Sequence, residues 1–97
     1  MVQTVKSMRL PPGHKGLFIE RPHALSRIFF KIVAILPQTA NYMSKISFDD
    51  PLFLEYYTLL GTNTYFEAEG DGIFQGNIFV LNQSTVNILY SITEILI

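Results

Sequence analysis

The sequence predicts an all-β protein, an antiparallel β-sandwich of about seven or eight short strands, on three observations. First, turn-forming clusters punctuate the chain at Pro11-Pro12-Gly13, Arg21-Pro22-His23, residues 37–41, Asp49-Asp50-Pro51, Gly61-Thr62-Asn63, Gly70-Asp71-Gly72 and Asn82-Gln83-Ser84. Their centres fall about 9 to 12 residues apart, with one gap of about 17, a rhythm of many short strands and not of alternating helices and strands. Second, the segments between them are rich in β-branched and aromatic residues, several with a period of two. Third, 97 residues, 48% of them hydrophobic, suffice for one core but not for two.

Residues 1–10 are basic through Lys6 and Arg9 and carry little apolar periodicity. They read as an N-terminal arm that orders against a partner, ahead of a single domain over 11–97. Residues 23–36 satisfy two periods. Helical spacing joins Leu25, Ile28, Phe29, Ile32, Ile35 and Leu36 behind Pro22, whereas a strand puts Ile28, Phe30, Ile32, Ala34 and Leu36 on one face. The all-β rhythm elsewhere favours the strand; a helix at 23–36 would make the fold α+β. Residues 42–48 alternate Tyr42, Ile46 and Phe48 with Met43, Lys45 and Ser47, interrupted at Ser44. Over 50–60 an aspartate cap, Pro51 and the terminal Gly61 fit a short helix, in even competition with a strand. Residues 64–69 and 73–81 flank Gly70-Asp71-Gly72, where glycines can supply the positive φ of a hairpin turn, with Gly76 as a bulge or close-approach point. Residues 85–94 set Val86, Ile88, Tyr90 and Ile92 against Thr85, Asn87, Ser91 and Thr93, a half-buried strand.

The net charge of −1 hides a partition. Residues 1–48 hold all seven bases, Lys6, Arg9, Lys15, Arg21, Arg27, Lys31 and Lys45, against Glu20 alone, a net +6. Residues 49–97 hold seven acids and no base, a net −7. Interleaved strands would dissolve this into ordinary surface ion pairs. Separated halves would make a dipole able to pack basic side to acidic side, in a contact that propagates.

Chemistry is sparsely provided for. The chain has no cysteine, which removes disulfides, thiolate metal sites and a cysteine nucleophile. Its two histidines, His14 and His23, sit beside turn residues. No nucleophile elbow, phosphate loop or zinc-protease spacing occurs, so no enzyme, metal or cofactor is expected. Asp49-Asp50-Pro51 suits a cap, and Glu69-Gly70-Asp71-Gly72 is too short for a calcium loop. Sugar binding would draw on Asn77, Asn87 and the tyrosines, but the tryptophan platform common in such modules is missing. Arg27 and Lys31, with Phe29 between them on a strand, or with His23 and beside Phe30 on a helix, could meet a nucleic acid, against which the seven acids argue. The longest apolar run, 28–36 with Lys31 inside it, is about half of a membrane span, and 1–10 has no apolar block of a signal peptide. The expectation is a soluble, non-secreted chain.

The run Tyr65-Phe66-Glu67-Ala68-Glu69-Gly70-Asp71-Gly72-Ile73-Phe74-Gln75-Gly76-Asn77-Ile78-Phe79-Val80-Leu81-Asn82, followed by a strand ending Ile92-Thr93-Glu94-Ile95, resembles small β-sandwich accessory proteins of virus particles, namely the cement, decoration and tail-associated proteins of tailed bacteriophages. That resemblance implies a non-catalytic subunit in the virion that clamps a major capsid or other virion protein, as a homo-oligomer or on a lattice; the alternative setting is the cytoplasm. Alternative functions are a carbohydrate- or other ligand-binding sandwich and a small nucleic-acid-binding domain. For the assembly reading, Lys6, Arg9, Lys15 and Arg21 are the expected contacts to an acidic partner, and Phe18 and Phe74 the expected aromatic anchors.

Overall fold

The computed structural model describes residues 2–20, 26–48, 55–74 and 76–97. Eight strands run through them: β1 (Val2–Leu10), β2 (Lys15–Ile19), β3 (Ser26–Ile35), β4 (Tyr42–Phe48), β5 (Glu55–Gly61), β6 (Tyr65–Phe74), β7 (Ile78–Asn82) and β8 (Ile88–Leu96). They form two four-stranded antiparallel sheets, sheet A in the order β1-β8-β3-β6 and sheet B in the order β2-β7-β4-β5. Apart from β4 to β5, each strand passes to the opposite sheet, so the order is that of a jelly roll. The expected all-β sandwich is therefore what forms, within 37 × 26 × 17 Å.

Alternation builds the core. On β3, Ile28, Phe30, Ile32 and Ala34 are buried, and Leu36 continues their face. On β8 the inward set is Ile88, Tyr90, Ile92 and, unexpectedly for a carboxylate, Glu94. No helix replaces β3 over the described part of 23–36, because extended pairing to both β6 and β8 satisfies its backbone on two sides. Nor is 55–60 helical. β5 pairs with β4 from Tyr42↔Gly61 to Ser47↔Glu55, and Leu59 is buried between exposed Thr58 and Leu60. Residues 50–54 of that expected helix, and 23–25 of the other, lie outside the described residues.

Two further expectations are corrected. Residues 2–10 are not an arm but strand β1, paired to β8 from Val2↔Leu96 to Leu10↔Ile88. Apolar periodicity is faint there because β1 is an edge strand held by backbone pairing: Leu10 is buried and Met8 half-buried, while Gln3 to Ser7 are exposed. Gly70-Asp71-Gly72 is not a turn either; all three lie within β6, and among described glycines a positive φ occurs at Gly13 and Gly76. Gly70 stands opposite Phe30, whose ring occupies the space a Cβ would need, and the Phe74 ring comes within 2.9 Å of a Cβ at Gly72. These glycines admit aromatic rings. The reversal comes later, at Gly76 (φ 86°), and it leads from sheet A to sheet B, so β6 and β7 are not a hairpin.

Rings join the sheets. Phe74 stacks on Phe48 of the opposite sheet at 4.2 Å and 4°, and Phe30 meets both edge-on at 5.8 and 6.0 Å. Buried polar groups are few and specific. The Ser44 hydroxyl, which interrupts the apolar face of β4, hydrogen-bonds the Tyr90 phenol across the sandwich. Asn82 is fully buried and donates to the carbonyls of Leu10 and Val86, both at 2.9 Å, while its Oδ1 accepts from the Ser84 amide and hydroxyl. One amide thus ties the end of β1 to the β7–β8 connection. At the other side of that junction Pro11-Pro12-Gly13-His14 makes a turn with the His14 amide on the Pro11 carbonyl and φ 76° at Gly13, the residue pattern of a type II turn.

Burial pushes the Tyr90 phenol up to about 12, against the partial offset of its bond to Ser44. Between the ordinary tyrosine value of about 10 and that limit, the unfolded chain ionises while the folded one holds its proton. Stability therefore declines as pH rises through this window, and Tyr90→Phe should shrink the decline in urea titrations run at successive pH values. At neutral pH the same variant should lose about 1–2 kcal/mol by orphaning Ser44, and adding Ser44→Ala should restore most of it. Asn82→Ala strands several buried carbonyl and hydroxyl groups at once, and a loss on the order of 2–4 kcal/mol in the same titration is expected.

Candidate interaction surface

The six residues singled out from sequence do not converge. Lys6 and Arg9 are exposed on β1, but on opposite sides of the strand, since Lys6 pairs with inward Ile92 and Arg9 with outward Leu89. Lys15 opens β2 in the other sheet, with its ammonium 4.8 Å above the Phe79 ring. Arg21 lies outside the described residues. Phe18 is not an anchor for a partner: it is 2% exposed and packs edge-on to Tyr90 at 6.0 Å. Phe74 is half-buried and committed to Phe48 and Phe30. Both rings belong to the core because they fall on the inward positions of β2 and β6.

What the topology does assemble is the outer face of sheet A. Register aligns its side chains in rows across β1, β8, β3 and β6: Arg9, Leu89, Ile35, Tyr65; then Ser7, Ser91, Val33, Glu67; then Val5, Thr93, Lys31, Glu69; then Gln3, Ile95, Phe29, Asp71. Aliphatic and aromatic groups fill much of this face. Val5, Ile35, Tyr65 and Ile73 are exposed, and Phe29, Val33, Leu89 and Ile95 are half-buried. Apolar groups thus recur in every row of this face, interspersed with polar and charged ones.

Charge on this face is ordered by strand. Glu67, Glu69 and Asp71 line β6, an edge strand, and Arg27 and Lys31 line its neighbour β3. Lys31 Nζ lies 2.6 Å from Glu67, and Arg27 lies 3.3 Å from Asp71. The hydrogen bond from Lys31, then that from the Tyr65 phenol at 2.5 Å, hold the Glu67 carboxyl below the usual carboxylate range, and the same contact raises Lys31. Arg27, Phe29 and Lys31 do share the expected face, but acids now answer both bases, which weakens any phosphate-binding reading of the stripe. Sequence reasoning missed the acid row. The alternation of Tyr65, Glu67, Glu69 and Asp71 with Phe66, Ala68, Gly70 and Gly72 was its signal, and reading the glycines as a turn broke it.

A small-molecule site finds little support in the geometry. A hollow of about 90 Å³ lies between Arg9, Ile35, Leu36, Pro37, Asn87 and Leu89, well below the roughly 300 Å³ at which ligand pockets begin. Of the tyrosines whose side chains are described, Tyr42 and Tyr90 are buried and Tyr65 is exposed, so they form no stacking platform. His14 is exposed, its Nδ1 3.1 Å from the Pro12 carbonyl. Among the described residues no three His, Asp or Glu side chains are grouped to hold a metal.

No protein-family model matches the chain, and no curated protein does. Its fold does have solved counterparts. A subunit of Bacillus endospore appendages, described as disulfide-linked pili, matches with a TM-score of 0.62 at 8% identity, over 96% of this chain and 84% of that one. The family 35 carbohydrate-binding module of Cellvibrio japonicus Abf62 matches at 0.60 and 13% identity, over 88% and 67%. PirA matches at 0.60 and 11% identity, over 91% and 90%. At these identities the likeness is one of fold: a β-sandwich module shared with binding and structural proteins.

The division between core and surface is directly testable. Phe18→Ala should cost about 3–5 kcal/mol in urea denaturation. Lys6→Ala and Arg9→Ala should leave the unfolding midpoint where it is.

Proposed function

We propose that the chain is a non-enzymatic interaction module, a structural subunit that docks on neighbouring protein subunits through the outer surface of sheet A. The observation that carries this reading is that surface itself, an open four-stranded face with exposed Val5, Ile35, Tyr65 and Ile73 and charged edges. Flat contacts of this type are individually modest and gain strength by repetition. The pilus subunit that shares the fold supports the compatibility of such a sandwich with repeated assembly. Disulfide links are not open to this chain, which has no cysteine, so its contacts would be non-covalent.

Within that reading, a cement or decoration subunit on a major capsid or tail protein is the setting suggested by the resemblance of residues 65–95 to phage accessory proteins. None of the three structures compared above is described as a virion protein, and the setting rests on that resemblance alone. Lys6, Arg9 and Lys15, exposed and distributed over both sheets, would then meet acidic groups on more than one neighbour.

Light scattering coupled to size exclusion, over a wide concentration range at low and moderate salt, tests the proposal. Mass should rise with concentration, or on adding the partner lattice, and the rise should weaken with salt because exposed charges are screened. A monomer under all these conditions that also gives a glycan-array signal would replace assembly with sugar binding, the property described for the Cellvibrio module.

A further inference from the structure

The two open edges of sheet A carry opposite charge. β1 presents Lys6 and Arg9, and β6 presents Glu67, Glu69 and Asp71. Among the described residues neither Lys6, Arg9 nor Glu69 has an ion-pair partner. Edge strands offer unpaired N–H and C=O groups, and charge on them blocks pairing with another edge of the same sign. Two β1 edges repel, as do two β6 edges. A β1 edge and a β6 edge attract.

Direction also fits. β1 and β3 are both antiparallel to β8, and β6 is antiparallel to β3, so β1 and β6 run in opposite directions. A second copy placed beside the first by simple translation therefore sets its β1 antiparallel to the first copy's β6, with both outer faces on the same side. We propose that a second copy of this chain is the partner for these two edges, joined head to tail by pairing of β1 with β6 into one continuous sheet. This rests on the assembly reading above and adds to its outer-face contact a second one at the edges of sheet A, with another copy of the chain as partner. The register that satisfies both charge and apolar surface sets Arg9 opposite Glu69, Ser7 opposite Asp71 and Val5 opposite Ile73. Arg9 then has Glu67 and Asp71 as diagonal neighbours, within reach of a long side chain. Val5 and Ile73, 56% and 64% exposed in the single chain, cover each other. Because the contact is heterologous and sheets twist, repetition winds into an open filament and does not close at a dimer.

A chain without cysteine makes the test clean. In the variant carrying V5C and I73C, the two thiols of one molecule sit on opposite edges of a four-stranded sheet, at least about 14 Å apart, too far for an internal disulfide. Mild oxidation of the full-length variant, at concentrations where the unmodified chain associates, should give a ladder of covalent oligomers on non-reducing gels. V5C with Y65C, out of register, should give no such ladder. In parallel, R9E or E69K alone should weaken association about fivefold by light scattering, and the two together in one chain should restore it. Oligomers that form without a ladder, and that ignore the charge reversal, would overturn edge pairing while leaving the assembly reading intact. Failure of the unmodified chain to associate with itself at any concentration would overturn this proposal, and the assembly reading would fall with it only if no other protein surface is bound. A ladder of equal strength from the out-of-register pair would also overturn it.

Discussion

The register of β6 on β3 is the constraint from which most of this structure follows. Setting Phe30 opposite Gly70 puts one aromatic ring over a position with no side chain, and the same alignment brings Arg27 and Lys31 within reach of Asp71 and Glu67 on the other face. A slip of one residue would exchange the two faces, driving three carboxylates into the core and Phe66 and Phe74 into water. The cost of burying unpaired carboxylates is so much larger than any alternative contact that the alignment is specified by exclusion as well as by fit. Phe74, held inward by that register, then reaches Phe48 and fastens the two sheets together.

The device recurs in the other sheet. Tyr42 of β4 stands opposite Gly61 of β5, and its ring lies where a Cβ at Gly61 would go. In both places an inner strand supplies the ring and an edge strand the glycine. An edge strand has one neighbour, so glycine weakens it locally, and a ring laid over the bare backbone restores packing that the missing side chain cannot provide. The Tyr42 hydroxyl ends in this packing, buried and without a hydrogen-bond partner among the described residues, while Tyr90 on β8 has Ser44. What each ring faces thus separates two similar phenols on inner strands: one fills space over a glycine, the other fixes the sheets to each other through a polar bond.

Central strands were the most legible part of the sequence. β3 and β8 are covered on their inner face along nearly their whole length, so Ile88 to Ile92 alternate with only Leu89 apolar on the outer side, whereas in β3 the outward Phe29, Val33 and Ile35 are apolar as well and let a helical period compete. Ser44 broke the pattern of β4 for a reason that lies 46 residues away, in Tyr90, and no local reading could supply it. Edge strands were harder. β1 is fixed by hydrogen bonds that any sequence can make, and its side chains from Gln3 to Ser7 are exposed, so it resembled an unstructured arm. In β6 the glycines suit a hairpin turn equally well, and what decides between turn and strand is the presence of Phe30 on the neighbouring strand. The candidate surface shared that fate: its basic members were listed from composition, but its acid row became visible only when β6 was known to be continuous, and Phe18 turned inward because β2 crosses to the opposite sheet.

The partition of charge along the chain takes its meaning from the strand order. A jelly roll interleaves early and late strands, so the basic first half and acidic second half cannot form two separate lobes, and β3 and β6 show the mixing directly in their ion pairs. Interleaving is nevertheless incomplete at the margins of a sheet. The first strand of the chain takes one edge of sheet A and a strand from the acidic half takes the other, which leaves an in-plane polarity running from β1 to β6 across the intervening pair. A polarity in the plane of a sheet differs from one across its thickness, because it points along the direction in which backbone pairing can continue. Electrostatics that would otherwise only protect each edge from its own kind therefore also makes the β1 and β6 edges complementary to each other.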